Sequence, residues 1–331
     1  MSAAPVLVMG ASGFLGSHVT RQLVARGDRV RVLLRETSPT RGIDDLDVER
    51  HYGDIFDEDA VRAAMDGCEV VYYCVVDTRA WLRDPAPLFR TNVEGLRGVL
   101  GIAAEARLRR FVFTSTIGTI ALGDGRVPAT EDTPFDWDGG DYIRSRRAAE
   151  ELVLGSGLPA VALCVANTYG TGDWQPTPHG SLVALAALGR MPVYFRGVGS
   201  EVVDVEDAAR ALLLAAEHGR PGERYIVSER FLAQREIYRL AAAAGGVLPP
   251  RFGIPQFALV AAGRTGSLAA RLLRRDIVLN ATAVHLLRRT APLDHGKAER
   301  ELGWRPGSAA AAIERAARFV VGRRRDRVLH S

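Results

Sequence analysis

Lysine is all but missing: Lys297 is the only one in 331 residues, so arginine carries the positive charge. Dispersed arginine reads as solvated surface, filling positions where lysine would serve as well. The formal net charge of +4 is mild for this length. Cysteine is scarce. Cys68, Cys74 and Cys164 are odd in number and too widely spaced for a metal knuckle, so neither a metal site nor a disulfide framework is expected. The basic stretch Arg323-Arg324-Arg325-Asp326-Arg327 has no zinc-finger spacing or RNA-binding aromatic motif beside it. It reads as a solvated helix end, and no nucleic-acid partner is expected. Long apolar runs are lacking too. The longest, about Phe257 to Leu273, is broken by Arg264 and Arg271 and reads as a packed amphipathic helix, so no membrane partner is expected. Met1-Ser2-Ala3-Ala4-Pro5 runs straight into an apolar strand without the pattern of a secretory leader, and the expected location is cytoplasmic.

What is present is a sizeable core: 47% of the residues are hydrophobic. The length suits one large α/β domain with a smaller partner lobe. Short β-branched runs alternate with helical patterns through the first half, the mark of βαβ units in a parallel sheet. Val6 to Met9 and Val30 to Leu34 read as strands around a helix from Phe14 to Ala25 that Gly27 closes. Asp57 caps a helix reaching Met65. Val70 to Val76 reads as a fully buried strand. A helix from about Pro87 to Ala106 precedes the strand Phe111 to Ser115, a helix begins near Asp141, and Val161 to Val165 is a strand. The expected fold is a Rossmann doubly wound parallel sheet over residues 1–165, with chain returning around 201–228. Residues 166–331 are expected to form mainly a smaller substrate-binding lobe.

The strongest motif is Gly10-Ala11-Ser12-Gly13-Phe14-Leu15-Gly16, between a strand and a helix. Gly10 permits a tight turn, Gly13 lets backbone approach a pyrophosphate, and Gly16 lets helix and strand pack closely. The helix start presents free N–H groups to phosphate oxygens. The candidate contacts are Gly10, Ser12, Gly13, Phe14, Leu15 and Gly16. The second strand ends Leu34-Arg35-Glu36-Thr37-Ser38, not in the acidic residue that bonds the ribose hydroxyl of NAD. On one reading Arg35 pairs with a 2′-phosphate, helped by Ser38 and Arg41, which favours NADP(H). On the other, Glu36 is the ribose ligand and the cofactor is NAD(H).

These residues resemble the extended short-chain dehydrogenase/reductase superfamily, within its NAD-dependent epimerase/dehydratase group. The resemblance also rests on Gly53-Asp54-Ile55, Cys74-Val75-Val76, Thr91-Asn92-Val93-Glu94-Gly95, Phe113-Thr114-Ser115-Thr116, Tyr142 to Arg146, Asn167 to Asp173 and Lys297 to Trp304. Trp81 to Pro85 and Gln175 to Pro178 make it most similar to dihydroflavonol-reductase-like and hopanoid-associated sugar epimerase-like proteins. The resemblance implies that Asp54 and Ile55 flank the adenine and that Cys74, Val75 and Val76 line the dinucleotide groove. It puts Ala166, Asn167 and Thr168 beside the nicotinamide. It makes Thr116 the catalytic hydroxyl, with Ser115 a neighbour easily mistaken for it, and Tyr142 the catalytic tyrosine. It implies a homodimer and a small-molecule substrate.

Hydride reduction of a carbonyl leaves negative charge on oxygen, which a tyrosine can protonate while a Ser/Thr hydroxyl holds it. A tyrosine needs a nearby cation to act near neutrality, and in this family a lysine one helical turn later supplies it. Here that position is Arg146. Arginine keeps the charge but presents a bulkier planar fork and sheds no proton. Three functions remain open: an NADP(H)-dependent reductase of a ketone or aldehyde in a partly apolar molecule, an NAD-retaining sugar epimerase or dehydratase, and a non-catalytic dinucleotide-binding protein.

Trp81, Phe135, Trp137, Trp174 and Met191 lie on segments that would surround the nicotinamide face, though ordinary packing explains any one of them as well. Asp204 and Asp207 suggest a metal, but a helix cap at Asp204 is the simpler reading. His18 reads as packed. His51, His179 and His295 have no partner spacing, and Tyr72 and Tyr73 are expected on opposite faces of a strand.

Overall fold

Alternation along β1 (Val6–Met9) sets the layers. Val6 and Val8 enter one core and Leu7 and Met9 the opposite one, so both faces are covered, as in the middle of a parallel sheet. The computed structural model describes residues 4–122, 127–135, 138–288 and 290–329, with side chains through residue 324. Trp137 lies outside the described residues.

After β1 come α1 (Phe14–Arg26), closed by Gly27 at φ 89°, and β2 (Val30–Leu34). β3 (Glu49–Tyr52) leads to α2 (Glu58–Met65), where the Asp57 carboxylate accepts from the Ala60 amide at 3.0 Å. β4 (Val70–Tyr73) is shorter than the run to Val76 that the apolar pattern suggests. The Cys74 amide still bonds the Met9 carbonyl at 2.9 Å, but Asn92 then takes the Asp77 amide at 2.8 Å and draws the chain off the sheet. The helix expected from Pro87 to Ala106 is really three pieces: α3 (Ala86–Phe89), a π-helical turn over Arg90–Gly95, and α4 (Leu96–Glu105). Such turns alter side-chain phase within a helix, which a 3.6-residue period does not reveal.

β5 (Arg110–Thr116), α5 (Gly140–Leu154) and β6 (Ala160–Val165) follow. The chain continues through β7 (Asn167–Tyr169), α6 (Pro178–Ala187), β8 (Val193–Phe195), β9 (Gly199–Asp204), α7 (Val205–His218), β10 (Arg224–Val227) and β11 (Arg230–Ala233). α8 (Gln234–Gly245), β12 (Phe252–Ile254), α9 (Gln256–Leu273), α10 (Ala281–Arg288), α11 (Gly296–Leu302) and α12 (Ala309–Leu329) complete it.

Seven strands form one sheet in the order β10-β6-β5-β4-β1-β2-β3, and every pairing is parallel. Strand order reverses between β1 and β4, which opens a crevice at the strands' carboxyl ends. Tyr72 enters one face's core and Tyr73 the other's. Lys297 joins α11 to β10, with Nζ 2.7 Å from Glu223 and 5.0 Å from the Tyr225 ring centre.

A second core forms where α6, α8 and α12 meet the sheet β11-β9-β7. Alanines 186, 187, 241, 309, 312, 316 and 317 let these helices approach closely. Asp204 caps α7 through the Glu206 amide and pairs with Arg315 of α12.

Candidate active site

Two glycines shape the bottom of the crevice. Gly10 has φ +84°, and a Cβ there would stand 2.8 Å from the carbonyl carbon of Cys74. A Cβ on Gly16 would stand 2.1 Å from the Gly10 carbonyl oxygen. Only glycine allows this close crossing of loop and helix. The Gly13 amide closes the turn onto the Gly10 carbonyl at 3.0 Å, and no side chain caps α1, so its first amides remain directed at the crevice. That is the cradle a diphosphate needs.

At the end of β2 the Ser38 hydroxyl accepts from the Arg35 amide at 3.2 Å, and the Ser38 amide donates to the Arg35 carbonyl at 2.8 Å. The side chains of Arg35 and Glu36 both stay exposed. The Gly53 amide bonds the Leu34 carbonyl at 2.9 Å, placing Asp54 and Ile55 beside this turn. Cys74, Val75 and Val76 lead away from β4. Ala166 bonds Val227 through its amide at 2.9 Å, and Asn167 and Thr168 begin β7.

Trp174 takes the packing reading. Arg41 stacks on its ring at 4.6 Å and Arg323 of α12 at 4.9 Å, while Phe319 meets it edge-on at 4.9 Å. The short turn through Gly172 swings it toward the loop after β2. Met191 joins the core of the second lobe, and Phe135 lies under the Arg147 guanidinium at 3.9 Å. The Trp81 carbonyl accepts from the Asn280 side-chain amide at 3.1 Å, tying the loop after β4 to the start of α10. His18 is packed, bonded to the Thr171 carbonyl at 2.9 Å.

Across the crevice, α5 carries Tyr142, Arg146 and Glu150 one turn apart on one face. The Thr116 hydroxyl stands close enough to the Tyr142 phenol to favour its anion. Burial pushes the Tyr142 phenol above its ordinary value, while the Arg146 guanidinium and Thr116 pull it back. Arg146 is 1% exposed. It donates Nη2 to the Thr114 carbonyl and lies 5.0 Å from the centre of the Phe113 ring. Burial lowers its own proton affinity, opposed by Tyr142, Tyr73 and Glu150. Its Nε and Nη1, and the nearby Tyr73 hydroxyl, have no hydrogen-bond partner among the described residues. Unmet buried donors cost about 1–3 kcal/mol each, so these N–H groups suit a polar ligand such as a ribose hydroxyl. With the glycine cradle, the residues present fit a dinucleotide.

Ser115 and Thr116 are clearly separated. The Ser115 hydroxyl donates to the buried carboxylate of Glu150, which also accepts from Thr119 at 2.8 Å and pairs with Arg224 at 3.0 Å. Asn92, on the π-helical turn, donates to the Asp77 carbonyl at 3.0 Å and the Ser145 hydroxyl at 3.1 Å, tying the loop after β4 to α5. Sequence reading singled out neither Asn92 nor Glu150 for a role. The eight-residue interval from Tyr142 was the available signal for Glu150, and the motif Thr91 to Gly95 was the signal for Asn92, whose side chain the π-turn aims at Asp77 and Ser145.

Comparison with known proteins follows the same outline. The model of a family described as "NAD dependent epimerase/dehydratase family" matches residues 6–228. Sterol demethylase protein B of Methylococcus capsulatus is 31% identical over 93% of this chain and 95% of its own. A 4-hydroxy-2-methyl-3-oxo-4-farnesyl-3,4-dihydroquinoline-1-oxide ketoreductase of Stigmatella aurantiaca is 30% identical over 90% of each chain. The crystal structure of gox2253 superposes with TM-score 0.86 at 31% identity, covering 97% of this chain and 99% of that one.

Proposed function

The chain belongs to the NAD dependent epimerase/dehydratase family and is an enzyme, and from that premise we propose that it reduces a ketone or aldehyde of a medium-sized, partly apolar molecule with NADP(H). The family supports an NAD(P)-type dinucleotide. Arg35, exposed at the end of β2, supports the phosphorylated form. An apolar substrate suits the names of two relatives, one a sterol demethylase protein and one a ketoreductase of a farnesylated quinoline.

The observation that carries the proposal is the hydroxyl pair of Tyr142 and Thr116 backed by the buried cation of Arg146. Glycines 10, 13 and 16 would hold the diphosphate, and Arg146 with the groove from Cys74 to Val76 the nicotinamide end. The dinucleotide supplies the hydride that reduces the carbonyl carbon. Thr116 orients the substrate oxygen by hydrogen bonding, and Tyr142 gives that oxygen its proton. Arg146 keeps its charge throughout, so Tyr142 regains its proton without drawing it from residue 146. The proposal includes a homodimer paired through α4 and α5, which the family resemblance implies.

Carbonyl compounds screened against NADPH and NADH test it, with Tyr142→Phe as the decisive variant. Turnover is expected to fall by about two to four orders of magnitude, with dinucleotide affinity nearly unchanged. Unchanged turnover rejects the mechanism. An absence of net nicotinamide absorbance change in a turning-over sample supports instead an epimerase or dehydratase that regenerates its cofactor.

A further inference from the structure

α9 packs by one face and leaves apolar residues on the other. Leu259, Gly263 and Ala270 turn inward, Gly263 against Val284 of α10. At 100° per residue, Phe257, Ala261, Leu268 and Leu272 fall together on the opposite face. These four are exposed, Phe257 at 76% and Leu272 at 75%. Leu273, Val278 and Leu279 extend the apolar surface past the helix end, and Phe252 lies just before its start. A contiguous exposed apolar face of this kind marks an interaction site.

Its charge says what kind. Arg264 and Arg271 flank the apolar stripe, and Arg274 and Arg275 follow the helix, with Arg251 before it; all five are exposed. None of them forms a salt bridge with an acidic group among the described residues. The one acid in that stretch, Asp276, is engaged by the Arg83 amide at 2.9 Å. Long arginine stems can lie along an apolar layer while their heads reach phosphates. An apolar face edged by unpaired arginines matches the interfacial helix of a membrane-surface protein, whereas a second copy of this face would bring like charges together.

We propose that α9 docks this chain, without crossing, on the surface of an anionic lipid bilayer. The docked face adjoins the crevice. Asn280 donates to the Trp81 carbonyl, Asp276 holds the Arg83 amide, and His285 bonds the Asp138 carbonyl just before α5. A bilayer-dissolved apolar molecule would therefore arrive beside the loop carrying Trp81 and the start of the Tyr142 helix. Docking itself does not depend on the proposed reductase chemistry and is measured without turnover.

The test is cosedimentation of the full chain with phosphatidylcholine vesicles and with vesicles also containing phosphatidylglycerol. Binding is expected on the anionic vesicles, weaker on neutral ones, and weakened by salt. Leu268→Asp with Leu272→Asp should lower anionic-vesicle binding by about tenfold or more. Arg264→Gln with Arg271→Gln should remove the preference for anionic lipid. Both pairs are exposed, so an unchanged melting temperature certifies the fold; should the aspartates unfold the chain, the arginine pair decides alone. No cosedimentation with anionic vesicles overturns the proposal. So does a dimer, seen by light scattering, that the leucine substitutions dissociate, because a second copy then covers the face.

Discussion

Arg146 donates to the backbone carbonyl of Thr114, two residues before Thr116 on the same strand. That bond fixes a large cation between the Phe113 ring and the Tyr142 phenol, where a shorter lysine would be held differently. Arg146→Lys should keep the fold and change turnover by no more than about tenfold, since the charge is retained. Arg146→Met should weaken dinucleotide binding by about tenfold to a hundredfold, the worth of charged hydrogen bonds, and raise the phenol's proton affinity further. Steady-state kinetics and dinucleotide titration of both variants check this. A large gain in turnover with lysine means that the arginine restrains the enzyme.

Glu150 links α5 to the far edge of the sheet through Arg224. Glu150→Gln takes the carboxylate from that guanidinium, a quarter exposed, leaves it only the Thr119 and Glu131 carbonyls, and disturbs the Ser115 and Thr119 hydroxyls. A loss of about 2–4 kcal/mol is expected, toward the lower side for a broken buried pair because Arg224 keeps some solvent. Denaturant unfolding measures it.

Much of this was legible beforehand. β1, β2 and the glycine loop agree because local pattern, turn chemistry and burial all point one way there. Composition and periodicity do not separate Ser115 from Thr116, both hydroxyl residues at one strand end; the family resemblance picks out Thr116, and the carboxylate of Glu150 takes the Ser115 hydroxyl. The packing partners of Trp174 were not legible because a glycine-rich turn, not a periodic element, sets its direction. The apolar outer face of α9 was not legible, because amphipathic periodicity reports only that a helix has two faces. It does not report that the apolar residues outnumber the places for them inside.

His179 stands in the first turn of α6, where burial disfavours an imidazolium and lowers its pKa from 6.5 to about 4. Above pH 6.5 the group is neutral folded or unfolded and contributes nothing. As pH falls from 6.5 toward 4 the unfolded chain takes the proton first, so stability is lost. His179 is half-buried, which limits the loss to about 1–2 kcal/mol. Melting temperatures of the parent and His179→Gln should therefore run parallel above pH 6.5, the parent dropping away below it. Parallel curves down to pH 4 contradict this.

Titration calorimetry of NADPH and NADH into the parent chain and Gly16→Ala tests the account most directly. A methyl at residue 16 would meet the Gly10 carbonyl at 2.1 Å and block the crossing that bares the first amides of α1. The parent should bind at least one dinucleotide, NADPH more tightly, and the folded variant should bind neither measurably. A correctly folded parent that takes up neither, or a variant that binds as the parent does, contradicts the account.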